Sequence, residues 1–143
     1  MSDLTKSSKK LVREVYTYTF DEKSTTISSI GSNAYSGSLM FKLSDKDNKN
    51  VGYIMWSEFC RINNSEKCTY YSSNGTLYLN NNKDLISFNC AAVGDLNTPQ
   101  FLNNTEISTK ATYTSGKYQG KDVNVKIKFL KDTKREVIIT YKE

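Results

Sequence analysis

Few residues in this chain are able to do chemistry. Its 143 residues include no His, which removes the commonest general base, the usual Ser and Cys triads and most catalytic zinc sites. The three Cys do not complete a closed structural zinc site on their own. Cys60 and Cys68 flank RINNSEK and could meet across a hairpin. A disulfide there needs an oxidising compartment, so buried thiols are the expected state. Cys90, in SFNCAA, reads as a small core residue. The carboxylate neighbours Asp21/Glu22 and Asp45/Asp47 sit in turn sequences and form no catalytic pair. GKYQGKD, residues 116–122, has a superficial likeness to a phosphate loop, but Gly116 stands one residue too close to Gly120-Lys121, and Asp122 replaces the required hydroxyl. These readings assign no catalytic residue, no metal ligand and no cofactor.

Lys117, Lys121, Lys126 and Lys128, with Tyr118 interleaved, could form a basic strip that tracks phosphate while the ring stacks on a base. The whole chain carries +5, but residues 106–143 contribute only +4 and the chain has 3 Arg against 17 Lys. A solvated Lys-rich surface is the expected reading, and nucleic acid is not the expected partner. The Lys and Asn excess matches the codon bias of A+T-rich genomes, which protists, some bacteria and large DNA viruses share.

The elements that would position any site are strands. Aromatics make up 12% of residues, while there are only 7 Gly and 1 Pro, so the turns must come from Asn, Asp and Ser. Residues 1–12 read as a polar arm without the apolar run of a signal peptide or a membrane span, which gives a cytoplasmic or virion location as the expectation. An arm this polar stays ordered only where an assembly packs on it.

From Arg13 the pattern has period two. Tyr16, Tyr18 and Phe20 share one strand face; Leu39, Phe41 and Leu43 share another; Val123, Val125, Ile127 and Phe129 alternate with Asn124, Lys126 and Lys128. Asn74-Gly75 is a hairpin signal between Cys68–Ser72 and Gly75–Leu79. Nine or ten short strands with short turns predict an antiparallel all-β domain over 13–143, a sandwich or a barrel, and closure into a barrel removes exposed edges. The run NVGYIMWSEFCRI, residues 50–62, is apolar on both faces. One face carries Val51, Tyr53, Met55 and Phe59, the other Ile54, Trp56 and Cys60. A barrel strand has one inner face, so the second predicts a subunit interface, with Ile54, Trp56 and Cys60 as its candidates.

The second half resembles the allene oxide cyclase and dirigent barrel superfamily over about residues 35–143. ATYTSGKYQGKDVNVKIKFL is similar to that superfamily's glycine-rich turn and following strand, and YSGSLMFKLSDKDNKNVGYIMW to its strand, Asp-containing turn and Val/Leu-Gly strand opening. Ser115, Gly116, Tyr118 and Gly120 take the places of its Thr/Ser, glycine, aromatic and second glycine. Tyr113 and Thr114 stand where two glycines are usual, and Asp122 near a third. The resemblance implies an eight-stranded barrel with a central cavity, a tendency to form trimers and, in some members, cyclase chemistry on an apolar ligand. It places Glu58 and Cys60 on a strand where cavity residues are expected, although Glu58 is a lone charge of a kind that ordinarily faces solvent.

The leading expectation is therefore a non-catalytic, self-associating barrel, a structural or binding component of the kind a large DNA virus particle would use. The competing one is an apolar small-ligand protein or cyclase that uses the barrel cavity, and the ligand itself is not identified by the sequence.

Overall fold

A strand whose side chains alternate between apolar and polar must bury one face, and this chain buries them all against a single lumen. The computed structural model describes residues 9–31, 34–62, 68–96 and 106–143. It contains nine strands: β1 (Leu11–Thr19), β2 (Thr25–Ile30), β3 (Ala34–Ser44), β4 (Asn50–Ile62), β5 (Cys68–Leu79), β6 (Asp84–Leu96), β7 (Glu106–Ser115), β8 (Asp122–Phe129) and β9 (Lys134–Lys142). All neighbours are antiparallel, in the order β1-β9-β8-β7-β6-β5-β4-β3-β2. One further pairing, Thr17 against Ser44, joins β1 to β3 and closes an eight-stranded barrel. β1 and β2 share one edge of β3, so they act as a single stave interrupted by the 3-10 turn Glu22–Ser24. Asp21 holds that turn, accepting from the backbone N–H of Lys23 and of Ser24.

The inner rows carry the core. Leu43, Ile54, Leu77, Ile86, Val125, Val137 and Ile139 have no exposed surface, and each side chain of this size gains about 1.5–3 kcal/mol from leaving water. Tyr18, Phe41 and Trp56 pack as a cluster with ring centroids 5.0–6.1 Å apart. Asn takes the place of Gly in the turns, as the composition implies: Asn48, Asn80, Asn81 and Asn82 all have positive φ. Residues 1–8 of the expected arm lie outside the described residues. Leu11 and Val12 already belong to β1, because Leu11 pairs with Lys142 and Val12 with Tyr141.

Two expectations are corrected. Asn74-Gly75 is not a hairpin: β5 runs unbroken through it, with Asn74 opposite Ser57 and Gly75 opposite Trp56. The glycine is there for space. A Cβ on Gly75 would strike the Phe88 ring and lie 2.6 Å from the Met55 carbonyl oxygen and 2.7 Å from the Trp56 Cβ. Ile54, Trp56 and Cys60 do not form an outer interface. They face the lumen at 0%, 9% and 0% exposure, because Ile54 pairs with the core residues Phe41 and Leu77, Trp56 pairs with Leu39, and Cys60 shares their parity on β4. The outward row of β4 is the one with Met55 and Phe59.

Gly75→Ala is expected to cost about 1–3 kcal/mol, since two of the crowding atoms belong to backbone or to a Cβ and cannot swing away. A urea unfolding curve checks it, and an unchanged midpoint would refute the packing argument.

Candidate functional site

Residues directly opposite one another on neighbouring strands point to the same side of the sheet, so the register defines rows across the lumen. One row is Thr25, Leu39, Trp56, Gly75 and Phe88. The next, one step toward the β2–β3, β4–β5 and β6–β7 connections, is Ile27, Gly37, Glu58 and Ser73. The first row is a buried floor. The second is a rim with polar groups on it, and Ile27, although on the inner face, is 55% exposed.

Glu58 faces inward, against the expectation for a lone charge, because the period of two puts it on the same face as Trp56 and Cys60. Its Oε1 accepts the indole N–H of Trp56 at 2.9 Å. Burial raises the Glu58 carboxyl above the ordinary carboxylate range, and the Trp56 hydrogen bond opposes the rise. No ion pair reaches it among the described residues. Arg135, the cation nearest this aromatic cluster, is held elsewhere: its guanidinium lies over Phe129 and Phe20 and donates to the carbonyls of Asp132 and Lys134. Tyr18, its direct partner in the register, is pushed up by burial, with Arg135 opposing and Glu58 adding to the rise.

Ser73 is the one side chain of polar or charged type that is buried among the described residues, at 4% exposure. It stands opposite Glu58, and no hydrogen bond satisfies its hydroxyl among the described residues. Gly37 lies in the same row and is closely packed: a Cβ there would meet Ile27 Cγ1 at 3.3 Å, the Thr26 carbonyl oxygen at 3.4 Å and Glu58 Cγ at 3.5 Å. Cys60 is a free, fully buried thiol whose Sγ donates weakly to the Arg61 carbonyl. The side chains of Cys68 and Cys90 lie outside the described residues.

The opposite end is closed. Gly116 and Gly120, at φ 92° and 90°, let the β7–β8 turn double back, with Gly120 N–H donating to the Tyr113 carbonyl. Ser115 ties the turn to Lys83 through its hydroxyl. Tyr118 is thereby laid against Tyr113 and Tyr141, with centroids 5.5 and 5.6 Å away. Lys121 lies over the Tyr141 and Tyr118 rings. Beneath them Glu14 accepts from the hydroxyls of Tyr16 (2.8 Å) and Tyr141 (3.5 Å). Burial, then the Glu14 charge, pushes Tyr141 up to about 12 and raises Tyr16 and Tyr113 as well. Glu14 is a lumen residue that the sequence reading missed. Its signal was the parity it shares with Tyr16 and Tyr18.

The basic strip does not form as one surface. Lys126 and Lys128 both reach Glu106 on the outer face, at 3.6 and 3.7 Å, while Lys117 and Lys121 sit on the tyrosine turn. A hollow of about 1300 Å³ also lies on the outer face. Its lining includes many hydroxyls and amides, such as Ser57, Asn74, Thr76 and Asn89, which is what a solvated sheet face presents. No described group of His, Cys, Asp and Glu could hold a metal ion, and no described helix is long and apolar enough to cross a membrane.

No protein-family model matches the sequence, and no curated protein is significantly similar to it. Solved structures do match. AbnU, an exo-specific intermolecular Diels–Alderase, superposes with a TM-score of 0.67 at 15% identity over 93% of this chain and 97% of its own. Pyocyanin demethylase gives 0.67 at 12% identity over 91% and 100%. The Diels–Alderase AbmU from Streptomyces koyangensis gives 0.65 at 6% identity over 99% and 72%. The chain has the barrel fold of these cyclases. The superfamily resemblance is met at that coarser level of an eight-stranded cyclase barrel, and identities this low carry the fold alone.

A carboxyl whose pKa is raised by folding binds its proton more tightly in the folded chain. Its contribution is most favourable at low pH and is lost as pH rises from the unfolded value of about 4.3 through the folded one. Glu58→Gln removes that loss while keeping an acceptor for Trp56. E58Q is expected to melt higher than the parent at about pH 8, with the gap closing toward about pH 4. A thermal unfolding series across pH measures it, and an E58Q chain that melts lower at pH 8 would contradict the assignment.

Proposed function

We propose that this barrel binds a small, largely apolar molecule at the end of the lumen that carries Ile27, with Glu58 and Ser73 as the polar anchors. The observation that carries the reading is the row Ile27, Gly37, Glu58 and Ser73. It combines an apolar side chain that is 55% exposed on the inner face with two facing polar groups that have spare hydrogen-bonding capacity. A concave site with apolar walls and a few converging polar groups is the general form of a small-molecule pocket. The structural neighbours support it, being two Diels–Alderases and a demethylase on the same fold, and they favour this use of the lumen over a purely structural role. A cyclase activity would use Glu58 as its acid–base group, since it is the one ionisable side chain on this rim among the described residues.

The single Trp of the chain, Trp56, forms part of the floor of this site and reports on it. Saturable quenching of its fluorescence by a neutral naphthalene alcohol is expected. Gly37→Leu, which places a side chain against Ile27 and Glu58, is expected to weaken that binding at least tenfold with unchanged circular dichroism. Equal binding by parent and G37L would sink the proposal.

A second reading, self-association, has its own observation. Met40 and Met55 pair across β3 and β4 on the outer face at 47% and 42% exposure, with Phe59 on the same face of β4 at 38%. If that face joins copies, Met55→Lys shifts the sedimentation coefficient to that of a monomer. A parent chain already monomeric at micromolar concentration would end this reading.

A further inference from the structure

The polar pair on the rim has a charge character that narrows the ligand class, and this step rests on the small-molecule reading above. Glu58 already takes one N–H on Oε1, from Trp56. No second donor and no cation meets it among the described residues. Ser73, opposite it, is 4% exposed with no hydrogen-bond partner among the described residues. Native chains rarely leave a buried hydroxyl unsatisfied, and such a group calls for an occupant. Around the pair the floor is aromatic: Trp56 is donor and wall at once, Phe88 lies beside Gly75, and Tyr18 and Phe41 continue the cluster.

We infer that the ligand is an organic cation, an apolar skeleton carrying a protonated amine or a quaternary nitrogen that sits between Glu58 and the face of Trp56. A carboxylate partly withdrawn from water without a counter-ion is costly, and a ligand cation supplies the missing charge. Indole is the side chain with the strongest attraction for a cation over its face, and the effect grows as water is excluded. The indole N–H cannot play that part for an anion, because Glu58 occupies it. An ammonium N–H also has a second acceptor in Ser73, whereas a carboxylate ligand would meet Glu58 with like charge. Arg135, the register partner of Tyr18, is turned to the Phe129 and Phe20 rings and to backbone carbonyls, so it does not compete for Glu58.

The test uses one ring system with three charges: 2-naphthylmethylammonium, 2-naphthylmethanol and 2-naphthoate, titrated calorimetrically into the whole chain at about pH 7.5, well above the ordinary carboxylate range. The ammonium is expected to bind at least tenfold tighter than the alcohol, and the naphthoate weakest. Glu58→Gln is expected to abolish the preference for the ammonium over the alcohol; a factor of ten corresponds to about 1.4 kcal/mol. Ser73→Ala is expected to weaken the primary ammonium more than its trimethylated analogue, which has no N–H to donate. Equal binding of ammonium and alcohol, with the alcohol still blocked by G37L, overturns the cation inference and leaves the small-molecule reading standing. A cation preference that survives in E58Q also overturns it, since the charge would then be read elsewhere. Failure of all three probes to bind overturns both.

Discussion

A sheet closed on itself gives each strand one row of inward side chains, and the pleat leaves no choice about which residues occupy it. Once Leu39 and Leu77 are inside, Trp56 is inside. Once Trp56 is inside, so are Glu58 and Cys60, whatever their polarity. The chain could escape this parity only with a bulge. The described irregularities of β4 fall at Leu43/Ser44 on its β3 side and at Arg61/Ile62 on its β5 side, neither of them between Trp56 and Glu58. The carboxyl is therefore carried into the lumen by its neighbours and is stabilised there chiefly by the indole N–H.

The same constraint explains the small residues. Trp56 and Phe88 lie two strands apart in one row, with Gly75 between them. Two aromatic side chains of this size meet across an intervening strand only if that strand contributes no side chain, which is what Gly75 provides. One row on, Gly37 plays a related part with a different outcome. Its Cβ position is bounded by Ile27 Cγ1, the Thr26 carbonyl oxygen and Glu58 Cγ, so this glycine lets aliphatic and polar groups close in where Gly75 admits aromatic rings.

Much of this was legible in the sequence, and the failures have identifiable causes. Alternation in β3 and β8 fixed their inner faces, since only one face of each is apolar. β4 is apolar on both faces, so periodicity alone could not say which row is inside, and the choice came from partners distant in sequence. Asn74-Gly75 carries a hairpin signal because both residues tolerate positive φ, but a signal about permitted conformations does not report crowding from Phe88 and Trp56. Glu14 and Glu58 were read by polarity, while the barrel placed them by parity. The turn at Ser115–Gly120 was legible because its requirement is local: Gly116 and Gly120 adopt conformations that L side chains rarely take.

The two lumen carboxylates then separate by how completely they are satisfied. Glu14 holds hydroxyls from Tyr16 and Tyr141, with Tyr113 and Tyr118 packed around Tyr141 and Lys121 above it. Charge-assisted bonds of this kind close a polar network that rigidifies the end it plugs. Glu58 has one indole N–H and faces a serine hydroxyl with no described partner. A network with open valences is costly for an isolated fold and useful for a binding site, since a ligand that completes it recovers what folding left unmade. The asymmetry between the ends assigns them different work: tyrosines and a tight turn stabilise one, and the other keeps its polar groups available.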